Sequence, residues 1–236
     1  MYKLRAREYS GKNEESFGFL HTMPLAQYFD SFNLGFSDLV AFNDSRFSQN
    51  DLNLLCCSNI EIITFVIDGE MTFKGFFDED ILLKSGDIQV ISCSSEIVKN
   101  QCKWFSEKSA HFIQIGILPC KKNVESACQK KNFSEKLVQD KLKLVVSSSG
   151  RKGSLKINQD VNIYKSAIKM DKILRYPMKK NRKFWIQVIN GAIDVNSNIL
   201  ESGDAISIVG EESLLEIVGV ESSSAFLLLD LRNLSL

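Results

Sequence analysis

One pattern of two short motifs occurs twice in this 236-residue chain, in the same order each time. In the first half, Val66-Ile67-Asp68-Gly69 is followed by Leu83-Lys84-Ser85-Gly86-Asp87. In the second half, Val188-Ile189-Asn190-Gly191 is followed by Leu200-Glu201-Ser202-Gly203-Asp204. The two copies lie more than 100 residues apart, a period too long for a solenoid repeat. The pattern therefore indicates a duplicated domain.

The residues around both copies are typical of β-strands. Residues 60–67 and 184–189 are rich in β-branched and aromatic side chains, and an alternating run follows each Gly-Asp pair. Because glycine readily takes a positive φ, we interpret Asp68-Gly69 and Asn190-Gly191 as hairpin turns. Many short strands separated by such turns predict a closed barrel or a sandwich in each half.

The chain length suits two domains of roughly 100–120 residues each. Hydrophobic residues make up 44% of the chain, which is enough to give each domain a core. The charged segment 121–143 has only partial helical spacing, and we interpret it as a linker with one short helix. The sequence thus predicts an N-terminal domain over residues 1–133 and a C-terminal domain, including the linker, over residues 134–236.

Charge and composition narrow the classes of function. The 29 basic and 29 acidic residues balance, which argues against a general nucleic-acid-binding surface. The N-terminus lacks the apolar core of a secretory signal, and no apolar run is long enough to span a bilayer. Six cysteines without a C-x-x-C pair fit a reducing compartment. We therefore expect a cytoplasmic protein with no membrane partner.

Further segments along the whole chain resemble the bacterial pirin-like quercetinases. These segments are His21-Thr22, Tyr28-Phe29-Asp30, Gly35-Phe36-Ser37, Asn43-Asp44, and residues 61–69, 86–92, 111–115, 153–157 and 185–188. The chain is identified on this basis as a member of the pirin family. The resemblance implies an all-β fold of two cupin barrels, each a double-stranded β-helix or jelly roll, in a pirin-like bicupin.

The resemblance also implies one divalent metal, usually iron, in the N-terminal barrel. In the family its ligands come from a His-Pro-His segment and a His-x-Glu segment, a donor set that suits divalent iron. Aligned on the neighbouring strands, the four ligand positions of this chain are Leu55, Cys57, Lys99 and Gln101. Leucine has no donor atom, the lysine cation repels a metal ion, and glutamine is a weak neutral donor. We therefore expect a degenerate metal site and no cofactor.

Three alternatives remain open around Cys57. The Lys99 ammonium would lower the pKa of the Cys57 thiol and give a reactive thiolate if the two side chains lie close together. We favour the alternative in which Cys57 packs as a small hydrophobic residue. A pocket formed by Cys57, Glu61, Lys99 and Gln101 is the third hypothesis, in which Cys57, Glu61 and Gln101 bind a softer metal. Glu61, however, has the spacing of a solvent-facing strand residue.

The other chemically distinctive residues carry weaker signals. His21 and His111 are the chain's two histidines and do not align with metal ligands, so we expect both to form buried hydrogen bonds. Aromatic residues of a β-barrel usually lie in its core, and we expect this of Trp104, Phe105 and Trp185. The second half has no histidine or cysteine, so we predict no metal beside its cations Lys179, Lys180, Arg182 and Lys183.

Two classes of function follow from these expectations. The first is a non-catalytic pirin-family bicupin that binds a small molecule or a protein partner, in a ligand-binding or regulatory role. The second is an oxidoreductase similar to quercetin 2,3-dioxygenase that uses a non-standard metal site. Because chemistry resides in a site and not in a fold, we favour the first class and predict no catalytic residues.

Overall fold

The regular structure of this chain is almost entirely β-strand. The computed structural model describes residues 2–5, 11–15, 18–22, 36–47, 50–52, 59–75, 79–93, 103–106, 109–122, 124–209 and 213–233, with side chains from residue 36 onward except 47 and 50–52. The first strands are β1 (Tyr2–Arg5), β2 (Gly11–Glu15), β3 (Gly18–Thr22), β4 (Leu39–Phe47), β5 (Asn50–Leu52), β6 (Glu61–Asp68), β7 (Glu70–Lys74), β8 (Ile81–Lys84), β9 (Asp87–Ser92), β10 (Lys103–Ser106), β11 (Ala110–Ile117) and β12 (Ala127–Asn132).

A short helix separates these strands from the second set. It is α1 (Glu135–Val138), which lies inside the segment where one short helix was predicted. After it come β13 (Lys143–Ser147), a 3-10 turn (Arg151–Gly153), β14 (Leu155–Lys156), β15 (Val161–Ile168), β16 (Ile173–Met178), β17 (Arg182–Asn190), β18 (Ala192–Val195), β19 (Asn198–Glu201), β20 (Ala205–Val209), β21 (Ser213–Gly219) and β22 (Ser224–Arg232). In the part of the chain that the structure describes, no helix is long and apolar enough to cross a membrane.

The chain divides into two compact units that exchange short segments. We call the unit of Ser10–Phe133 and Leu155–Gln159 the N-terminal barrel. The unit of Met1–Tyr9, Ser134–Ser154 and Asp160–Leu236 is the C-terminal barrel. In the latter, β1 pairs with β20, so the first strand of the chain lies in a sheet built from the second half. The domain boundaries predicted from the sequence, 1–133 and 134–236, stay a prediction.

The N-terminal barrel consists of two antiparallel sheets with a core between them. The larger sheet has the strand order β12-β9-β6-β11-β4-β3-β2, and the smaller has the order β5-β10-β7-β8. The central strand β6 pairs with β9 on one side and β11 on the other. The core cluster includes Ile62, Val66, Met71, Phe73, Leu83, Ile91, Trp104 and Phe112, each at most 2% exposed.

The C-terminal barrel repeats this arrangement. The strands of its larger sheet that belong to this unit have the order β1-β20-β17-β22-β15-β13, and its smaller sheet has the order β16-β21-β18-β19. The central strand β17 pairs with β20 and β22, as β6 does with β9 and β11. Its core includes Phe184, Ile186, Val188, Ile193, Ile206, Ile208, Leu215, Ile217, Phe226 and Leu228. The duplication predicted from the two motifs is therefore confirmed.

The first motif of each copy makes a corner between sheets, so the hairpin interpretation is wrong. β6 pairs with β9 and β11, whereas β7 pairs with β8 and β10 in the other sheet. Gly69 has φ +77° between them, and Gly191 has φ +76° between β17 and β18. A Cβ at Gly69 would lie 2.5 Å from the backbone oxygen of Ser109, and one at Gly191 would lie 2.7 Å from that of Ser223. Glycine is required at both corners by the positive φ and by the close approach.

The second motif makes the return corner in both barrels. The Asp87 carboxylate accepts a hydrogen bond from the Lys84 N–H at 3.0 Å, and Asp204 accepts one from the Glu201 N–H at 3.1 Å. The glycine before each aspartate donates its N–H to the valine carbonyl of the first motif, at 2.9 and 3.1 Å. The two motifs of each copy are thus hydrogen-bonded to each other, which explains why they recur together.

Candidate functional site

The four positions aligned with the family's metal ligands, Leu55, Cys57, Lys99 and Gln101, lie outside the described residues. Glu61 belongs to the same predicted pocket and is described. Within the described ranges, no group of three or more histidine, cysteine, aspartate or glutamate side chains is placed to bind a metal ion. The predicted pocket of Cys57, Glu61, Lys99 and Gln101 stays a prediction.

Glu61 is fully buried, so the expectation that it faces solvent is wrong. Its Oε1 accepts a hydrogen bond from the Ser92 hydroxyl at 2.8 Å and one from Asn158 Nδ2 at 3.0 Å. Its Oε2 accepts a hydrogen bond from the Asn158 backbone N–H at 2.8 Å. Burial raises the pKa of the Glu61 carboxyl, while these hydrogen bonds act in the opposite direction. The carboxyl group therefore holds residues 155–159 in the N-terminal barrel.

A layer of buried polar side chains crosses the core of the N-terminal barrel. Thr64 on β6 lies opposite Gln89 on β9 and Gln114 on β11, and all three are fully buried. We call these three residues the polar layer. Core residues lie two positions away on each strand, so strand alternation places the layer on the core face. Gln114 Nε2 donates to Thr64 Oγ1 at 3.2 Å, and Trp104 Nε1 donates to Gln89 Oε1 at 3.2 Å.

The polar layer has no counterpart in the C-terminal barrel. Thr64 lies five residues before Gly69, and Ile186 lies five residues before Gly191. Ile186 is paired with Ile206 and Leu228, so the matching layer is wholly aliphatic.

A buried amide without a hydrogen bond costs about 1–3 kcal/mol. Among the described residues, the Oε1 atom of Gln114 has no hydrogen-bond partner. The interior of the N-terminal barrel is therefore a candidate site for a ligand that donates hydrogen bonds.

The histidines and aromatic residues largely follow the sequence expectations. His111 Nε2 and Asp44 Oδ1 are 2.6 Å apart, and the His111 side chain is 11% exposed, so its buried hydrogen-bonding role is confirmed. The His21 side chain is outside the described residues. Trp104 and Trp185 are fully buried as expected, whereas Phe105 is half-buried beneath the Lys74 ammonium, 5.1 Å from its ring centroid.

A cavity of about 470 Å³ opens in the C-terminal barrel, where the sequence predicted no metal and suggested no other site. It is lined by Arg151, Asp160, Asn162, Tyr164, Tyr176, Pro177, Lys179, Asn181, Arg182, Phe184 and Asp230. Of the four cations noted in the sequence, Arg182 and Lys179 line it. Lys180 is exposed outside it, and Lys183 is half-buried outside it.

An ion network forms the polar wall of this cavity. Arg182 Nε donates to Asp230 Oδ1 at 2.6 Å, and Arg182 Nη1 donates to Asp160 Oδ2 at 2.5 Å. Burial opposes the charge of Arg182, but the hydrogen bonds and negative charges of Asp230 and Asp160 prevail and raise the pKa of its guanidinium. The side chains of Arg182 and Asp230 are 10% and 9% exposed, so this ion pair is buried.

Two tyrosines complete the wall. The Tyr176 hydroxyl donates to Asp230 Oδ2 at 2.6 Å and lies 3.3 Å from the Tyr164 hydroxyl. Burial and the negative charge of Asp230 raise the pKa of Tyr176 well above its usual range. Asn162 Nδ2 also donates to Asp230 Oδ2, at 3.3 Å. The Asp230 carboxylate is thus surrounded by donors, and the Tyr176 hydroxyl is a fixed, protonated group.

Sequence reasoning missed this cavity because its residues come from strands far apart in the chain. Tyr164 lies on β15, Tyr176 on β16, Arg182 on β17 and Asp230 on β22. One local signal was present: Asp230 is a single charge at the end of the apolar run 225–229 and before Leu231. A charged residue in such a run indicates a buried partner of opposite charge.

Comparisons with known proteins agree with this architecture. The family model of the quercetinase C-terminal cupin domain matches residues 144–231. Quercetin 2,3-dioxygenase of Escherichia coli is 27% identical over 232 residues, which cover 98% of either chain. A pirin-like protein of Caulobacter vibrioides is 25% identical over 209 residues, covering 88% of this chain and 89% of that protein.

Solved structures show the same fold. The crystal structure of the bacterial pirin YhhW from Escherichia coli in complex with nickel(II) superimposes with a TM-score of 0.85. It is 24% identical in sequence, and the match covers 99% of this chain and 100% of that one. Another crystal structure of YhhW has a TM-score of 0.86. The likeness in fold thus extends over both barrels.

Proposed function

This chain belongs to the pirin-like bicupin family, and we propose that it is a non-catalytic member that binds a small organic molecule without a metal ion. The observation that carries the proposal is the donor set Leu55, Cys57, Lys99 and Gln101 at the family's ligand positions. A divalent iron or nickel ion needs several nitrogen or carboxylate donors, and this set offers one thiol and one weak amide oxygen. The residues present do not fit the family's metal.

The polar layer supports a ligand-binding role for the N-terminal barrel. Thr64, Gln89 and Gln114 occupy core positions whose counterparts in the C-terminal barrel are aliphatic, so the barrel itself does not require polar groups there. Small-molecule sites typically combine an apolar wall with a few polar groups that fix the ligand's orientation. We infer that the amide oxygen of Gln114 accepts a hydrogen bond from the bound molecule.

The first prediction concerns metal content and flavonol cleavage. We expect untagged protein to carry far less than one equivalent of iron, nickel, copper, manganese or zinc, because the donor set lacks imidazole and carboxylate. We also expect no consumption of quercetin after iron or nickel is supplied. Elemental mass spectrometry and the quercetin absorbance band measure the two quantities. Near-stoichiometric metal that Cys57→Ser removes would overturn the proposal.

A restored ligand set provides the matched control. The variant carrying Leu55→His, Cys57→His, Lys99→His and Gln101→Glu regains the family's residues at the four positions and should bind close to one equivalent of metal. The corresponding variant with alanine at the four positions should bind none. If the restored variant also binds none, the alignment of the ligand positions is wrong, and with it the argument from the donor set.

The alternative function is a dioxygenase similar to quercetin 2,3-dioxygenase with a non-standard metal site. The observation that favours it is the 27% identity, over 98% of the chain, to a relative of that name. The metal assay distinguishes the two functions in one measurement. The cytoplasmic location and the identity of any protein partner stay predictions, as does the absence of general nucleic-acid binding.

A further inference from the structure

The ion network in the C-terminal barrel is not required by the barrel's architecture. Arg182 lies nine residues before Gly191, and Ile60 lies nine residues before Gly69. Asp230 lies six residues after Ser224, which contacts Gly191, and Gly116 lies six residues after Ala110, which contacts Gly69. A Cβ at Gly116 would lie 3.0 Å from Ile60 Cδ1, so these two positions are also neighbours. At these equivalent positions the N-terminal barrel has apolar atoms, whereas the C-terminal barrel has a buried ion pair.

A buried ion pair is weak evidence for a stabilising role, because the cost of removing two charges from water offsets their attraction. Perturbed ionisable groups that line a cleft are instead candidates for a functional site. Arg182, Asp230 and Tyr176 all line the 470 Å³ cavity, and the pKa values of Arg182 and Tyr176 are raised. The volume lies within the range typical of small-molecule sites.

The charges of the cavity favour a negatively charged occupant. Its lining includes three cations, Arg151, Lys179 and Arg182, against the two carboxylates of Asp160 and Asp230. Arg182 already binds both carboxylates. Among the described residues, the side chains of Arg151 and Lys179 have no ion-pair partner. Two cations are therefore left for a ligand, while the Asp230 carboxylate is occupied by donors.

The rest of the lining suits a flat ring. Tyr164 and Tyr176 meet edge to face with their centroids 5.1 Å apart, and Tyr176 meets Phe184 in the same way at 6.0 Å. Pro177 adds a further apolar surface. Offset and edge-to-face contacts with aromatic rings add about 0.5–1.5 kcal/mol beyond the burial of area. From this lining and its charge, we propose that the cavity of the C-terminal barrel binds a small aromatic carboxylate. This site is separate from the one in the proposed function and does not depend on it.

Benzoate is the probe that tests the proposal, with benzamide and benzylamine as its neutral and cationic analogues. Isothermal titration calorimetry on the full chain should show saturable binding of benzoate at one site. We expect benzamide to bind about tenfold more weakly, because it lacks the charge that Arg151 and Lys179 attract, and benzylamine not to bind. Absence of saturable benzoate binding, or equal binding of benzamide, overturns the proposal.

Variants of Arg151 and Lys179 test whether benzoate binds in the cavity. The double variant Arg151→Gln with Lys179→Gln removes exposed cations, so the fold should be kept, and benzoate affinity should fall by about tenfold or more. Lys180→Gln is the matched control, because Lys180 is an exposed neighbour in sequence that does not line the cavity. Affinity that is unchanged in the double variant, or reduced equally in Lys180→Gln, contradicts the assignment.

The tyrosines give a second, independent measurement of where benzoate binds. The chain has five tyrosines, of which Tyr164 and Tyr176 line the cavity. In protein labelled with 3-fluorotyrosine, Tyr164→Phe and Tyr176→Phe each remove one fluorine signal and so identify it. Benzoate should shift those two signals and leave the other three in place. Shifts confined to the other tyrosines would locate benzoate elsewhere and overturn the proposal.

Discussion

Glu61 is the residue whose behaviour departs most from its sequence pattern. Alternation along a strand predicts one buried and one exposed face, but the first six residues of β6 are all buried. The strand is central in its sheet, and Asn158 hydrogen-bonds to the Glu61 side chain. A strand covered on both faces loses its alternating pattern. The sequence could not reveal this because residue 158 is 97 positions away.

Buried Glu61 makes stability depend on pH in a predictable direction. Its folded pKa is raised above the unfolded value of about 4.3. Its stabilising contribution is therefore fully present below about pH 4.3 and is lost as pH rises through the folded pKa. Relative to Glu61→Gln, the wild-type free energy of unfolding should fall as pH rises from 4 towards neutrality. Urea denaturation at a series of pH values measures this difference.

The exposed residue Glu125 provides the control for this series. Glu125→Gln should follow the wild type across the same pH range, because it leaves Glu61 and its hydrogen bonds unchanged. A wild-type stability that rises relative to Glu61→Gln over this range would show that the hydrogen bonds from Ser92 and Asn158 outweigh burial.

The glycine turns at the corners determine where the chain passes from one sheet of a barrel to the other. The sequence correctly located the turns at Gly69 and Gly191 and the strands around them, because the need for positive φ is local. It gave the wrong pairing at Gly69 and Gly191, because an Asp-Gly or Asn-Gly pair suits a corner between sheets as well as a hairpin. Which strands pair is settled by contacts between distant segments, and these are absent from the local pattern.

Alanine at the corners should show a graded loss of stability. At Gly86 the atom nearest to an added Cβ would belong to the Asn132 side chain, at 3.2 Å, and a side chain can move. The cost of Gly86→Ala is therefore that of the positive φ, about 1–2 kcal/mol. At Gly69 and Gly191 the Cβ would also strike a backbone oxygen, at 2.5 and 2.7 Å. We therefore expect Gly69→Ala and Gly191→Ala to cost about 3 kcal/mol or more in chemical denaturation. A larger loss for Gly86→Ala would contradict this order.

For the whole molecule, the fold was predictable and the cavity was not. The duplicated motifs and short strands were enough to give two β-barrels, because turn and strand preferences are local. The cavity of the C-terminal barrel depends on the register that brings Tyr164 opposite Leu228 and Phe184 opposite Asp230. That register results from packing across the whole unit. Asp230 alone therefore indicated a buried partner of opposite charge but not the cavity.

The exchanged N-terminal strand can be tested with the chain's two tryptophans, one in each barrel. Trp104 reports the N-terminal barrel and Trp185 the C-terminal barrel when the other is replaced by phenylalanine. Deleting residues 1–9 removes the four-residue pairing of β1 with β20 and should destabilise the Trp185 barrel by about 2 kcal/mol. The fluorescence midpoint of Trp104 should move much less.

Leu4→Pro in the full-length chain is the control for this deletion. Proline cannot donate a backbone hydrogen bond, so it should weaken the same pairing at constant length. A midpoint that falls for Trp104 and stays constant for Trp185 would favour the boundary predicted between residues 133 and 134.

The exchange of segments also sets the order of events during synthesis on the ribosome. β1 emerges first, but its partner β20 follows about 200 residues later, so this edge strand waits unpaired through most of translation. The N-terminal barrel waits as well, because the groups that bind the Glu61 carboxyl belong in part to Asn158. The N-terminal barrel is therefore incomplete when the first half of the chain has been made, because residues 155–159 follow later. A nascent chain stalled at residue 133 therefore has the Glu61 carboxyl without its Asn158 donors, and β1 without its partner strand β20.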